Sequence, residues 1–218
     1  MQINSGDGRT DMPLVRFASD VPHTKTETFE LREDQLTGND VDERRRAARA
    51  LSGNPAAAAT LAARLECEPD PRVRDALFGS LADIGGALAA KLIASFIRSD
   101  DANLRGGAIE SLKRLDNDAV TVLDALMNES DVDVRILAIE VTRAWPSEVA
   151  NPRLLRVFEH EPHVNVCAAA VDVATEVGTK ELLAALYGLR TRFAGEPFLV
   201  FAIDIACDRI RCNDPRGA

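Results

Sequence analysis

The chain has 218 residues and carries 35 Asp and Glu against 26 Lys and Arg, a formal net charge of −9. Nucleic-acid-binding proteins normally present a basic stripe to the phosphate backbone, so this charge disfavours that class. The four cysteines have no paired spacing, no apolar run approaches the ~20 residues of a membrane span, and the opening residues lack a signal-peptide core. We therefore expect a soluble cytoplasmic protein with reduced thiols.

Residues 1–39 differ in composition from the rest of the chain. They are rich in Gly, Ser, Thr and Pro, with an excess of acidic side chains, which predicts an N-terminal extension that is largely disordered or docked. Residues 14–17 and 26–31 have the apolar or alternating character of a short docking strand. The sequence does not decide between a free tail and a docked segment.

From residue 40 onward one helical pattern recurs. In its clearest copy Val73 precedes Arg74, and apolar residues follow three, seven and ten positions later. These offsets lie on one stripe of an α-helix, so each copy predicts a helix with one buried side. The reference position of the pattern returns about every 30 residues, at Arg44, Arg74, Arg105, Arg135, Cys167 and Val200.

Each of these helices is predicted to begin at a capping residue. Four positions before the references lie Asp40, Asp70, Asp101, Asp131, His163 and Glu196. An Asp in this place is a preferred N-cap and stabilises its helix by about 0.5–2 kcal/mol. Shorter helices rich in Ala and Leu are predicted between them, at residues 56–65, 87–97, 119–127, 153–158 and 181–192, after turn residues such as Asn151-Pro152. The sequence therefore predicts about 5.5 two-helix units over residues 40–211 and a short tail at 212–218.

Two-helix units in which an Asp and a Val-Arg pair open the second helix resemble HEAT repeats, specifically the short type of phycobilin-lyase-like proteins. The resemblance covers residues 40–210 and implies an all-α, right-handed α-solenoid whose second helices line the concave side. It also implies a structural ladder of aspartates and arginines along the turns. That ladder would be formed by Asp70, Arg74, Asp101, Arg105, Asp131 and Arg135, and it breaks at Cys167 and Val200.

The concave face follows from the positions that point away from the core stripe. One, five and eight places after the reference, these positions form an acidic column beside a partly basic one. The predicted concave-face residues are Asp75, Gly79, Glu110, Lys113, Glu140, Arg143 and Asp172. Two interpretations are open: a solvated face, or a groove for a partner helix or loop that carries basic residues.

The last predicted helix is apolar on two sides. Phe198, Phe201 and Ile205 lie opposite its core stripe, although terminal repeats normally turn a polar face outward. We therefore expect this apolar end patch to be covered by the N-terminal segment, by a second copy in a homodimer, or by a partner. The alternative is a register shifted by one residue at this end of the pattern.

The sequence contains no convergent set of catalytic side chains and only three histidines. Iron-dependent deoxyhypusine hydroxylases, built on similar repeats, place His-Glu pairs in several units, whereas this chain has only His160-Glu161. We therefore predict no catalytic residues, no metal and no cofactor.

The predicted function is a non-catalytic protein–protein interaction scaffold or adaptor. A bacterial signalling complex, such as a chemotaxis or two-component assembly, is one setting for such adaptors, although no residue selects it. The alternative is a phycobilin-lyase-like chromophore lyase or chaperone subunit, which visible absorbance after co-expression with a bilin supply would reveal. The sequence leaves the partner and the oligomeric state open.

Overall fold

The computed structural model describes residues 34–212, and within this range it contains α-helices and 3₁₀ turns but no β-strand. The predicted docking segments at 14–17 and 26–31, and the tail from 213 onward, lie outside the described residues. The eleven α-helices of the described range are α1 (Val41–Ala50), α2 (Ala58–Cys67), α3 (Pro71–Ile84), α4 (Gly86–Ser95), α5 (Ala102–Lys113), α6 (Val120–Leu126), α7 (Val132–Val141), α8 (Ser147–His160), α9 (Val164–Val177), α10 (Leu183–Arg192) and α11 (Pro197–Cys212).

The helices form two rows. Each odd-numbered helix contacts the next odd-numbered one, from α1 through to α11, and these six helices carry the six reference positions. In the second row α2, α4 and α6 contact one another in turn, as do α8 and α10. Each hairpin thus stacks on its neighbour and buries a core between the rows. This confirms the predicted all-α solenoid.

Caps and core stripes lie where the pattern predicts them. Asp40, Asp70, Asp101 and Asp131 each accept a hydrogen bond from the backbone N–H two residues later, and the His163 ring accepts one from Asn165 N–H. In α3 the stripe residues Val73, Leu77 and Leu81 are fully buried. The pattern therefore places both the helix starts and the buried sides correctly.

The predicted turn at Asn151-Pro152 is wrong, because both residues lie inside α8. That helix begins at Ser147, directly after Pro146, and continues through Pro152 although an interior proline costs roughly 3 kcal/mol. Burial offsets this cost: Ala150 and Leu154 are fully buried, and Asn151 Nδ2 donates to Thr179 Oγ1 at 2.6 Å. Tertiary packing here overrides the local preference of proline for a turn.

Candidate functional site

The predicted acidic and basic columns meet in one chain of ion pairs across α5, α7 and α9. Lys113 Nζ donates to Glu110 Oε1 at 3.0 Å and to Glu140 Oε1 at 3.3 Å. Arg143 Nη2 donates to Glu140 Oε2 at 2.9 Å and to Asp172 Oδ2 at 2.7 Å, and Arg143 Nη1 donates to Glu176. The chain of contacts links three successive units, and Glu176 joins it although it was not among the predicted residues.

The cations of this chain lie beneath the carboxylates. The side chains of Lys113 and Arg143 are 17% and 22% exposed, whereas those of Glu110 and Asp172 are 73% and 70% exposed. Solvent, or a partner, therefore meets carboxylate oxygens first. We call the four acidic side chains over these two cations the acidic face: Glu110, Glu140, Asp172 and Glu176.

Mutual pairing keeps the less exposed groups, Glu140, Lys113 and Arg143, ionised. Partial burial acts to raise the pKa of Glu140, but hydrogen bonds and charge from Arg143 and Lys113 outweigh it and lower that pKa. Burial acts to lower the pKa of Lys113, and its pairing with Glu110 and Glu140 raises it instead. Hydrogen bonding to Glu140 likewise raises the pKa of Arg143.

The other two predicted concave-face residues, Asp75 and Gly79, lie apart from the acidic face, in a hollow of about 360 Å³ between α1 and α3. Asp83 at its edge accepts hydrogen bonds from Ser52 Oγ at 2.8 Å and from Arg114 Nη2 at 2.6 Å. Arg114 directly follows Lys113 in the sequence. The hollow is therefore joined to the end of α5 through the Arg114–Asp83 pair and is lined by no residue of the acidic face. Its lining is completed by Arg49, Ser52, Ala76 and Ser80.

The predicted ladder has one arginine–aspartate rung between units: Arg74 Nη1 donates to Asp101 Oδ2 at 2.6 Å. Arg44 forms a two-pronged ion pair with Glu68 at 2.9 Å, and Arg135 forms one with Glu161 at 3.0 Å. Sequence reasoning missed both glutamates. Each lies six positions before the next reference residue, which is the signal that could have found them.

A second, repeated contact joins each reference arginine to the carbonyl oxygen six residues before it. Arg105 Nη1 donates to the Ser99 carbonyl at 2.7 Å and also to that of Asp100 at 3.0 Å. The same contact occurs at Arg44, Arg74 and Arg135. These four arginines therefore tie the turn of each unit to the helix that follows it. Another predicted ladder residue, Asp131, caps α7: its carboxylate accepts a hydrogen bond from Asp133 N–H at 2.9 Å.

At the predicted break another arginine reaches the same carbonyl. Cys167 Sγ donates only a weak hydrogen bond to the Glu161 carbonyl at 3.4 Å. Arg192, at the end of α10, donates from Nη2 to that carbonyl at 2.8 Å and from Nη1 to the Glu159 carbonyl at 2.6 Å. The contact that the repeat loses at Cys167 is thus supplied from the next hairpin.

The apolar end patch lies on the outside of α11. Phe198 is 93% exposed, Phe201 66% and Ile205 48%, while Leu199, Ile203 and Cys207 on the other side of the helix are buried. The helix therefore has the register that the repeat predicts. The patch is exposed within the described residues.

The His-Glu pair has no arrangement for metal binding. Glu161 pairs with Arg135, and His160 is exposed with Nε2 3.7 Å from Glu159. Across residues 34–212 no three His, Cys, Asp or Glu side chains come together as metal ligands would. None of the helices described here has the length and apolar character needed to cross a bilayer.

Comparison with known proteins finds a family similarity over the first part of the chain. Residues 30–113 match the family model for HEAT repeats. Among solved structures, the chain is similar to an engineered protein, with 16% identity, a TM-score of 0.40, and coverage of 85% of this chain and 97% of that one. It is also similar to a designed armadillo repeat protein in complex with the peptide (KR)4, with 14% identity, a TM-score of 0.40, and coverage of 84% and 99%.

A third similar structure is the complex of CpcE and CpcF of phycocyanin lyase from Nostoc sp. PCC7120. It shares 16% identity, the TM-score is 0.36, and coverage is 94% of this chain and 100% of that one. None of these likenesses is close enough to carry a functional argument. A search of curated proteins found no match.

Proposed function

We propose that this HEAT-repeat solenoid is a non-catalytic protein-interaction scaffold and that its acidic face binds a basic segment of a partner protein. One observation carries the proposal: four carboxylates on the neighbouring helices α5, α7 and α9 face solvent, while the two cations that hold them are mostly buried. Four negative charges over two positive ones leave an excess that a basic partner can neutralise.

The spacing of the carboxylates suits an extended segment. Packed helices lie ~8–10 Å apart, so the carboxylates of neighbouring units recur at about that distance. A polyproline-II chain advances ~9 Å in three residues, so a Lys or Arg at every third position would meet one unit each. Because Lys113 and Arg143 already hold Glu140 and Asp172 in place, binding would cost little side-chain entropy there.

Exposure decides which residues should be changed in a test. Glu140 accepts hydrogen bonds from both Lys113 and Arg143, so its reversal would disturb the fold as well as the surface. Glu110 and Asp172 are the most exposed members of the acidic face, and Glu110→Lys with Asp172→Lys reverses the surface charge most cleanly. A matched control reverses two exposed carboxylates elsewhere, Glu66→Lys with Glu181→Lys.

The probe is a fluorescein-labelled peptide with Arg at every third position. Its binding is measured by fluorescence anisotropy at several salt concentrations. We expect wild type and control to bind the peptide with an affinity that falls as salt rises. The affinity of the acidic-face variant should be at least about tenfold lower than that of wild type. Equal losses in control and variant would mean general charge attraction, which contradicts a specific site.

The natural partner can then be sought by cross-linking and affinity capture. We expect proteins that are retained by wild type and by the control but lost from the acidic-face variant, and we expect the cross-linked peptides to be rich in Lys and Arg. Capture that is unchanged in the variant would show that partners bind another surface.

A further inference from the structure

The helix α11 ends the described array and, among residues 34–212, has neighbours on one side only. Its core stripe packs against α9 and α10. Its other side carries three of the five exposed large hydrophobic side chains in the described part of the chain, Phe198, Phe201 and Ile205. Their spacing of three and then four residues is that of the seam between two paired helices, and the exposed Cys212 continues it seven residues after Ile205.

The charged side chains beside this seam lie from the middle of α11 to its C-terminal end. Asp204 pairs with Arg190 at 2.8 Å, and Asp208 pairs with Arg211 at 2.8 Å. Arg209 is exposed on the seam side, four residues after Ile205, and no ion pair in residues 34–212 involves it. The N-terminal half of the seam is therefore aromatic, and its C-terminal half carries a cation that pairs with no acidic side chain of residues 34–212.

We propose that the apolar end patch binds the same patch of a second copy, with the two α11 helices antiparallel about a two-fold axis. In that arrangement the N-terminal half of one helix faces the C-terminal half of the other. With the pair centred on Ile205, Phe201 then faces Arg209 of the second copy, and a guanidinium over an aromatic face is a favourable cation–π contact.

The charge order favours the antiparallel arrangement over the parallel one. A parallel two-fold pair would place Arg209 beside its own counterpart and Asp208 beside its own, so that like charges repel. It would also align the two helix dipoles, whereas antiparallel helices oppose them. A second copy thus provides both the apolar stripe and the complementary charge order that this surface requires.

The size of the patch predicts a weak dimer. An aromatic side chain buries ~150–250 Å² in full, and the patch residues are 93%, 66% and 48% exposed, so the six patch residues of two copies together bury roughly 600–1,000 Å². That area is below the ~1,200 Å² of stable specific interfaces and in the range of weak, transient ones. The dimer should therefore form and dissociate with protein concentration.

Sedimentation velocity of the full chain in reductant, over a concentration series, tests the proposal. We expect the wild-type sedimentation coefficient to rise to that of a dimer, and Phe201→Glu to remain monomeric throughout. Leu88→Glu is the matched control, because Leu88 is a 59%-exposed apolar residue of α4, and this variant should dimerise as wild type does.

Circular dichroism should show unchanged helicity in both variants, since each replaced side chain is exposed. A wild-type chain that stays monomeric at every concentration overturns the proposal, as does a Phe201→Glu chain that dimerises with wild-type affinity. Neither variant touches the acidic face, so this test and that of the partner site can fail independently.

Cysteine cross-linking tests the orientation. In an antiparallel pair centred on Ile205 the two Cys212 residues lie ~20 Å apart, whereas position 198 faces Cys212 of the other copy. Cys67 is the other exposed cysteine of the described residues, so Cys67→Ser is the parent. On mild oxidation we expect the parent to remain uncrosslinked and the addition of Phe198→Cys to give a disulfide-linked dimer. A parent that cross-links through Cys212, or a dimeric Phe198→Cys chain that does not cross-link, overturns the antiparallel order.

Discussion

Arg192 shows how a side chain from another helix replaces one that the repeat has lost. In the first four units the reference arginine donates to the carbonyl six residues earlier, and in the fifth unit this position is Cys167. Arg192 reaches the corresponding carbonyl, that of Glu161, from α10. The last hairpin is thereby fixed to the turn before it, and the array continues across the break.

Removal of this arginine should loosen the last hairpin. Arg192→Ala deletes two hydrogen bonds from a charged donor, but the side chain is exposed, so we expect the free energy of unfolding to fall by only about 1–2 kcal/mol. Adding Cys167→Arg should recover part of this loss, because an arginine at 167 can donate to the Glu161 carbonyl as its counterparts do.

Urea unfolding followed by circular dichroism measures both effects. Cys167→Arg alone should be more destabilising than in the Arg192→Ala background, since two guanidinium groups would then compete for one carbonyl. Strictly additive effects of the two substitutions would contradict the replacement.

At the scale of helices, the close approach of α3 and α5 depends on one glycine. A Cβ added at Gly107 would lie 2.4 Å from the Phe78 ring, which is buried and packs edge-on against Phe96 at a centroid distance of 5.6 Å. The preceding residue, Gly106, faces open space. Two adjacent glycines of one helix therefore have opposite roles.

Alanine substitutions should separate these roles. Gly107→Ala should lower the free energy of unfolding by about 1–3 kcal/mol, because the ring cannot move without disturbing Phe96. Gly106→Ala should raise it by roughly 0.5–1 kcal/mol through better helix propensity. Chemical unfolding of both variants measures the difference, and equal effects would argue against the close contact.

For the whole molecule, stability should depend on pH, because carboxylates along the array have lowered pKa values. The affected groups are Asp40, Glu68, Asp70, Asp101 and Glu140. The largest change is at Glu68, which is fully buried. Burial alone would raise its pKa, but hydrogen bonds from Arg44, the Asp70 N–H and Arg64 outweigh this and lower the pKa to about 2.

A carboxyl group with a lowered pKa stabilises the fold fully above its unfolded pKa and loses that contribution as pH falls to its folded value. For Glu68 the window is from the ordinary 4.5 down to about 2, where the unfolded chain binds more protons than the folded one. The group should therefore contribute on the order of 3 kcal/mol that disappears across this window.

The Glu68→Gln variant isolates this contribution. It should be less stable than wild type at neutral pH, because Arg44 loses its buried partner, and the difference should shrink on acidification from pH 4.5 towards 2. Glu66→Gln, at an exposed position two residues earlier, is the control and should leave the pH profile unchanged. Urea unfolding over a pH series measures both, and a difference that stays constant with pH would contradict the assignment.

The amino-acid sequence by itself determined the repeating helices, their caps and their buried sides. Leu77, Ala108 and Ala138 come from equivalent positions of three units, and all are fully buried. This information is local, because a stripe of apolar residues and a capping aspartate lie within one helix and act there. For the same reason the sequence also predicted that Phe198 and Phe201 lie on the side of α11 opposite its core stripe.

Apart from the Arg74–Asp101 rung, only the tertiary structure decided which charged side chains of different units meet. Arg44 joins Glu68 rather than an aspartate, Arg192 reaches the turn beside Cys167, and Arg143 lies beneath the carboxylates that it holds. These contacts connect successive units, between residues 24 to 33 positions apart. They depend on how far each side chain extends across the junction of two hairpins, a distance that the period of the repeat does not specify.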